Sequence, residues 1–276
     1  MVARRLPLCT ATHQAGGMVE FTTASSGVRI AYDRLGAGAP LVLAGGAAQF
    51  RAVWPAADDL ARRLAERGLD VVHHDRPGRG DSGDAEPADL EGEVAAIAAL
   101  FEVLGGRAAL FGSSSGGAIA LAAAARLPGV THVVTWEVPL GAELGEDGAA
   151  YLAAVRAHAD DPEAAFRTYM DGMPPEWFES LRNSEEWPLY ARMAPTLQAD
   201  AEALAWTQSA PRRELWATIA APVLALVGED TFPFMVDAAE ALVAALPRAK
   251  HRVIPGSGHG WEPGAMADSV AEFVLH

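Results

Sequence analysis

Residues 109–127 read "ALFGSSSGGAIALAAAARL", with three serines between an apolar run and a helical run of small residues. Gly112 to Gly116 fit the pattern G-x-S-x-G, and Ser114 stands at its centre. In that pattern a sharp turn from strand to helix exposes the central hydroxyl and leaves no room for a Cβ two positions away on either side. A serine-capped helix start is the structural alternative, and a frame centred on Ser115 lacks the earlier glycine. The stretch predicts an α/β fold with Ser114 as a nucleophile.

The sequence around this turn alternates between strand and helix patterns. Short apolar runs without period-two alternation lie at 41–44, 69–74, 131–137 and 222–228. Such runs indicate a parallel sheet that helices cover on both faces. The length of 276 residues suits one large α/β domain or two small ones.

One long segment, residues 139–218, differs in texture because it has no clear strand pattern and is rich in acidic helical sequence. It holds four of the seven tryptophans, namely Trp177, Trp187, Trp206 and Trp216. We therefore predict a mostly parallel, doubly wound α/β core formed by residues 18–138 and 219–276. A helical cap is predicted to be inserted at residues 139–218.

The first residues, 1–17, are predicted to form a disordered leader. They carry two arginines near the start, Arg4 and Arg5, but lack the continuous apolar region of a secretory signal. The single cysteine, Cys9, excludes an internal disulfide and a cysteine-based metal cluster. No apolar run approaches membrane-spanning length. These features predict a cytoplasmic protein.

The charge balance bears on possible partners. The chain has 36 acidic and 21 basic residues, a formal net charge of −15, and Lys250 is its one lysine. Nucleic acids and anionic membranes favour clustered basic residues, so neither is expected as a partner. No His, Asp and Glu set has the spacing of metal ligands, and "GAGAP" at 36–40 precedes a strand, unlike a dinucleotide fingerprint. No metal or cofactor is expected, and homo-oligomerisation is left open.

A serine nucleophile needs a general base, and His259 is the best placed of the eight histidines. It follows the last predicted strand, "HRVIP" at 251–255, and lies in "PGSGHGWEP" with glycine on both sides. These glycines allow the loop to bring the imidazole over the carboxyl edge of the sheet. His73 and His74 precede a turn, but their backbone is predicted as strand. A loop histidine without a role is the alternative for His259.

The base needs a carboxylate to orient it, and two carboxylates end predicted strands. Glu137 lies in "VVTWEVP", and Asp230 lies in "LVGEDTFP". Asp230 is equally suited to form a turn before the next helix, and Glu137 to be a solvated residue at the start of the cap. The residues alone leave the choice open.

Together these motifs resemble the α/β-hydrolase superfamily, and the resemblance runs from Val19 to the end of the chain. The stretch at 41–54, "LVLAGGAAQFRAVW", is similar to the family's first parallel strand and oxyanion loop. The stretch at 73–84, "HHDRPGRGDSGD", is similar to its turn after the next strand, and "GSGHG" at 256–260 to its histidine loop. The resemblance implies a serine hydrolase that needs no cofactor.

The resemblance also implies an oxyanion hole made of backbone N–H groups. Ser115 would supply one donor, and Ala47 the other, or Gly46 if the alignment slips by one residue. This chain departs from the family at the loop, because Gly45 and Gly46 stand where His-Gly is common.

The family's usual position for the acid, counted from Gly228, falls on Thr231 rather than on Asp230. Some members instead carry a glutamate one strand earlier, where Glu137 stands. The resemblance therefore favours Glu137 over Asp230 as the acid.

Within the superfamily, the chain is similar to zearalenone lactonases, which open a resorcylic macrolactone. The similarity lies in the "SSG" elbow, the segment from Glu137 to Pro139, and a cap tryptophan in a context like "NSEEWPLYAR". It implies that Trp187 contacts the substrate, an apolar ester or lactone of small-molecule size. Carbon–carbon bond hydrolases and perhydrolases use the same triad, and a non-catalytic ligand-binding homologue is the alternative from another class.

Overall fold

The computed structural model describes residues 19–171 and 173–276, so the predicted leader and Cys9 lie outside the described residues. Within the described part, nine strands form one sheet. They are β1 Glu20–Thr23, β2 Arg29–Gly36, β3 Ala39–Ala44, β4 Leu69–His74, β5 Ala108–Ser113, β6 Val130–Trp136, β7 Val223–Asp230, β8 Ala249–Ser257 and β9 Gly260–Trp261.

The strand order across the sheet is β1-β2-β4-β3-β5-β6-β7-β8-β9. Neighbours from β4 to β8 pair in parallel, whereas β1, β2 and β9 join antiparallel at the two edges. Because β3 has β4 on one side and β5 on the other, the chain changes direction across the sheet at this strand. Ligand sites of open α/β sheets lie outside the carboxyl ends of the strands at such a reversal.

Eleven α-helices accompany the sheet in the described residues. In chain order they are α1 Pro55–Glu66, α2 Leu90–Val103, α3 Ser115–Arg126, α4 Asp147–Ala157, α5 Pro162–Tyr169, α6 Pro175–Arg182, α7 Trp187–Met193, α8 Leu197–Trp206, α9 Arg212–Leu215, α10 Pro233–Ala245 and α11 Pro263–Leu275. No described helix is both long enough and apolar enough to span a lipid bilayer.

Two hydrophobic layers cover the two faces of the sheet. Leu41 and Leu43 of β3 pack in one layer with residues of α1 and α11. Val42, between them, faces the other layer, to which α2, α3 and α10 contribute. Every residue of β4 and β5 is buried, which agrees with the lack of period-two alternation in these strands.

Helices α4 to α9, here called the inserted helices, lie between β6 and β7 in the chain. They form a third cluster around Phe166, Met193 and Leu197, and this cluster includes Phe50 from the loop after β3. The inserted helices therefore pack on the loops at the carboxyl edge of the sheet. The division into a core of 18–138 and 219–276 and a cap of 139–218 stays a prediction.

Candidate active site

Ser114 occupies the turn between β5 and α3. Its backbone has φ 55° and ψ −128°, a conformation that residues with a side chain rarely adopt and that costs free energy. The turn is held by two hydrogen bonds: the Ser114 N–H donates to the Trp136 carbonyl at 2.8 Å, and the Ser114 carbonyl accepts the Gly117 N–H at 2.9 Å. Ser114 is partly exposed, whereas Ser113 and Ser115 are buried. Of the three serines, only Ser114 reaches the surface of the turn.

The glycines of the pattern allow this close approach of backbone segments. A Cβ added to Gly116 would lie 2.5 Å from the carbonyl oxygens of both Ala44 and Gly45. A Cβ added to Gly112 would run into the carbonyl of Gly116. The spacing G-x-S-x-G thus follows from the space around the turn.

His259 lies in a two-residue turn that joins β8 to β9. Gly258 has φ 56° and His259 has φ 71°, and the flanking residues Ser257 and Gly260 pair with each other. Positive φ at both central residues is typical of a type I′ hairpin turn, and histidine enters this region more readily than most residues. The turn leaves 31% of the imidazole exposed, while its Nδ1 lies 2.5 Å from Oε2 of Glu137.

Glu137 follows β6 directly, with φ 44°, and its side chain is 1% exposed. Its Oε1 accepts the Gly228 N–H at 2.9 Å. Burial raises the pKa of Glu137, but the hydrogen bonds from His259 and the Gly228 N–H outweigh burial and lower the pKa overall. Because Glu137 is ionised, His259 donates from Nδ1, and Nε2 of the neutral ring is left as a proton acceptor.

Asp230, the other predicted candidate for the acid, has a different partner. Its exposed carboxylate accepts a hydrogen bond from the Ser257 hydroxyl at 2.7 Å, and its carbonyl accepts the Gly258 N–H at 3.1 Å. Asp230 therefore stabilises the turn that carries His259 without contacting the imidazole. Of the two carboxylates, Glu137 is the one within hydrogen-bond distance of the imidazole.

Trp136 links these parts, and sequence reasoning missed it. Its carbonyl accepts the Ser114 N–H, its indole Nε1 donates to the His259 carbonyl at 3.0 Å, and Glu137 is the next residue. The indole is fully buried. A tryptophan just before a strand-ending glutamate is the sequence signal for this link.

The loop after β3 lies directly against the serine, because a Cβ on Gly46 would come 3.0 Å from Cβ of Ser114. Both predicted loop donors have acceptors within the protein. The Ala47 N–H donates to Oγ of Ser115 at 2.9 Å. The Gly46 N–H donates to Oε1 of Gln49 at 2.6 Å. Gln49, which is partly exposed, was not predicted as part of the site.

The structure places Trp187 in the aromatic cluster of the inserted helices. Its ring meets Phe166 edge-on at 5.7 Å and Phe178 at 6.1 Å. Ala47 and Ala48 of the loop after β3 pack against the same cluster. Among the described residues, no three His, Cys, Asp or Glu side chains are arranged to hold a metal ion.

A serine in a strained turn between strand and helix, with a His–Glu pair at the same sheet edge, defines an α/β protein of the hydrolase type. Residues 41–273 match the family model described as "Alpha/beta hydrolase family", and the chain belongs to that family. No curated protein matches the sequence.

Solved structures with the same fold cover nearly the whole chain. An α/β hydrolase from Sphaerobacter thermophilus is 30% identical with a TM-score of 0.76, and the match covers 92% of this chain and 99% of that one. An esterase from Rhodococcus sp. is 24% identical (TM-score 0.63, 93% and 98% covered). An esterase from Thermogutta terrifontis is 22% identical (TM-score 0.67, 94% and 97% covered). The predicted fold class is confirmed.

Proposed function

We propose that this α/β hydrolase is a serine hydrolase that cleaves carboxylic esters or lactones through Ser114, His259 and Glu137. The observation that carries the proposal is the 2.5 Å contact between His259 Nδ1 and Glu137 Oε2, at the sheet edge where Ser114 is held in its strained turn. Two structural neighbours, the proteins from Thermogutta terrifontis and Rhodococcus sp., are esterases, which agrees with this chemistry.

The proposed reaction starts when Oγ of Ser114 attacks the acyl carbon while Nε2 of His259 takes its proton. The tetrahedral intermediate collapses, the bond to the alkoxy oxygen breaks, and the imidazolium returns the proton to that oxygen. Water then attacks the acyl-enzyme, with His259 again as the base, and releases the acid and free Ser114. Glu137 stays ionised throughout and stabilises the imidazolium.

The oxyanion is proposed to bind the N–H groups of Ser115 and Gly46. The Ser115 N–H begins α3, where the helix dipole favours a negative charge. The Gly46 N–H holds a partly exposed amide oxygen of Gln49 at 2.6 Å, which the substrate oxygen would replace. Ala47 is the loop donor expected from the sequence, but its N–H already donates to the Ser115 hydroxyl. We therefore propose that Ala47 stabilises the loop and does not bind the oxyanion. Each oxyanion donor is worth about 3 to 4 kcal/mol of transition-state stabilisation.

The substrate is proposed to be a small apolar ester or lactone, and the aromatic cluster around Trp187 supports an apolar acyl or alkyl portion. A macrolactone of the zearalenone type belongs to this class. The acidic net charge of −15 favours neither nucleic acid nor membrane as a partner, and a cytoplasmic location stays part of the proposal.

Active-site labelling tests the catalytic assignment. We expect a fluorophosphonate probe to form a stable adduct on Ser114, located by peptide mass spectrometry, and p-nitrophenyl acetate to give a burst of product. Ser114→Ala should lose both signals because it lacks the nucleophile. Ser113→Ala, the matched control one residue away, should keep both. A folded wild-type protein that is neither labelled nor active would overturn the proposal.

A substrate panel tests the finer assignment. Aryl esters, small lactones and resorcylic macrolactones are each incubated with the enzyme, and ring opening is followed by mass spectrometry as the addition of one water. If esters turn over while every lactone survives, the lactone part of the proposal is wrong and the esterase part stands.

A further inference from the structure

A buried group of charged side chains lies behind the loop that faces Ser114. Arg76 and Arg79 come from the turn after β4, Glu93 from α2, and Asp200 from α8 of the inserted helices. The four residues are each 2% exposed or less. Asp200 pairs with Arg76 at 2.6 Å and with Arg79 at 2.5 Å, and Arg76 pairs with Glu93 at 2.8 Å. We call these four residues the buried ion cluster.

The two arginines hold the loop by its carbonyl groups. Nη1 of Arg76 donates to the carbonyl oxygens of Gly45 at 3.1 Å and Gly46 at 3.2 Å. Nη1 of Arg79 donates to the Gly46 carbonyl at 2.8 Å and to the Gln49 carbonyl at 3.1 Å. In a trans peptide the N–H points opposite to the C=O of the same plane. Fixing the Gly45 carbonyl therefore fixes the direction of the Gly46 N–H, and fixing the Gly46 carbonyl fixes that of Ala47.

Asp200 also reaches the residue that follows the nucleophile. The Ser115 hydroxyl donates to Oδ1 of Asp200 at 2.7 Å and accepts the Ala47 N–H at 2.9 Å. One carboxylate is thus bound to both arginines that clamp the loop and to the hydroxyl that joins the loop to the elbow.

We propose that Asp200 is a positioning residue for the oxyanion hole. Through Arg76 it aims the Gly46 N–H at the oxyanion position beside Ser114, and through Arg79 and the Ser115 hydroxyl it holds the next peptide plane, between Gly46 and Ala47, in place. This inference rests on the proposed function. The inserted helices thereby complete the oxyanion hole, although none of their residues is assigned a step in the reaction.

Two considerations favour positioning over stability as the role of the cluster. A buried ion pair is weak evidence for stability, since desolvation offsets much of its attraction. Its hydrogen bonds, however, are directional, and here they end on the peptide plane that carries the Gly46 N–H and on the plane that follows it. Burial raises the pKa of Asp200, but the charges of Arg76 and Arg79 outweigh burial and lower it, so the carboxylate is ionised and accepts from all three partners.

The test uses two variants of the full-length enzyme. Ser115→Ala keeps the backbone N–H but removes the hydroxyl link, and Asp200→Asn keeps the shape but removes the charge. We expect kcat to fall about 10- to 100-fold with KM changed less than about threefold, as for loss of an interaction made in the transition state. The inhibition constant of a trifluoromethyl ketone, which forms an oxyanion on Ser114, should rise in parallel with the loss in kcat/KM.

Two controls separate positioning from general damage. Ser113→Ala removes a neighbouring hydroxyl outside the buried ion cluster. Val270→Ala creates a cavity beside α11, in the hydrophobic layer that α11 forms with α1 on one face of the sheet. If Val270→Ala and Ser115→Ala lower Tm by the same amount and also lower kcat by the same factor, the proposal is overturned, because general destabilisation would then explain the loss of activity. Unchanged kcat and ketone inhibition in Ser115→Ala would also overturn it, and this variant decides the matter if Asp200→Asn does not fold. An inactive, unlabelled wild-type enzyme would instead refute the proposed function.

Discussion

At the scale of single residues, the two candidate carboxylates differ in their partners. Glu137 is buried against His259, and Asp230 is exposed against Ser257. We predict that Glu137→Gln lowers kcat about 10²- to 10⁴-fold, because an amide no longer holds the Nδ1–H tautomer or stabilises the imidazolium. Asp230→Asn should stay within about threefold of wild type, since an amide oxygen still accepts from Ser257. Steady-state kinetics on one aryl ester measure both, and the opposite ranking would contradict the assignment.

The sequence predicts some residues of the candidate site better than others. Ser114 and His259 stand in local glycine patterns, and local patterns are visible in a sequence. The carboxylate is harder, because Glu137 and Asp230 end neighbouring strands and the positive φ at residue 137 cannot be read from the residues. The hydroxyl of Ser115 was overlooked because its partner Asp200 is 85 positions away in the chain.

At the scale of elements, the elbow depends on close contact between backbone segments. We predict that Gly116→Ala destabilises the protein by about 3 kcal/mol, because its Cβ meets two carbonyl oxygens at 2.5 Å and overpacking of this kind forces backbone shifts. Gly105→Ala is the matched control, since it meets no atom within 4 Å and has only the strain of its φ of 83°, about 1 kcal/mol. Urea unfolding measures both. Equal unfolding midpoints would show that the elbow accommodates a methyl group.

The strands that are buried in the sheet could be predicted from the sequence, whereas the hairpin formed by pairing of β8 with β9 could not. The buried parallel strands have a continuous apolar signature, and the structure has strands at all four of the predicted runs. The β8–β9 hairpin around His259 has no such signature, because "GSGHG" suits many loops. Its two-residue turn depends on the pairing of Ser257 with Gly260, a tertiary contact with no periodicity in the sequence.

At the scale of the whole molecule, one buried histidine links stability to pH. Burial, together with the neighbouring His73 and Arg76, lowers the pKa of His74 from 6.5 to about 3. Between these values the unfolded chain binds a proton that the folded protein does not, so the free energy of unfolding falls as the pH falls from 6.5 towards 3. Above pH 6.5 the effect vanishes.

We predict that His74→Gln removes this dependence. Between pH 7 and pH 5 the wild type should lose about 2 kcal/mol more stability than the variant, given about 1.4 kcal/mol per pH unit below 6.5 for one proton. Urea unfolding at the two pH values gives the change in the free energy of unfolding for each protein. The contributions of the other titrating groups are the same in both proteins and cancel when the two changes are subtracted. Parallel losses in the two proteins would show that His74 titrates normally in the folded state.

The buried ion cluster has a consequence for how this protein can be recombined. The inserted helices supply one carboxylate, and the turn after β4 supplies two guanidinium groups that need it. A chimera that takes these helices from a relative without an acid at the position of Asp200 would remove the carboxylate partner of Arg79 and leave Arg76 with Glu93 alone, and breaking a buried pair costs about 3 to 5 kcal/mol. The inserted segment is therefore not a freely exchangeable module. A chimera designed to change substrate preference by exchanging these helices must therefore keep Arg76, Arg79 and Asp200 together.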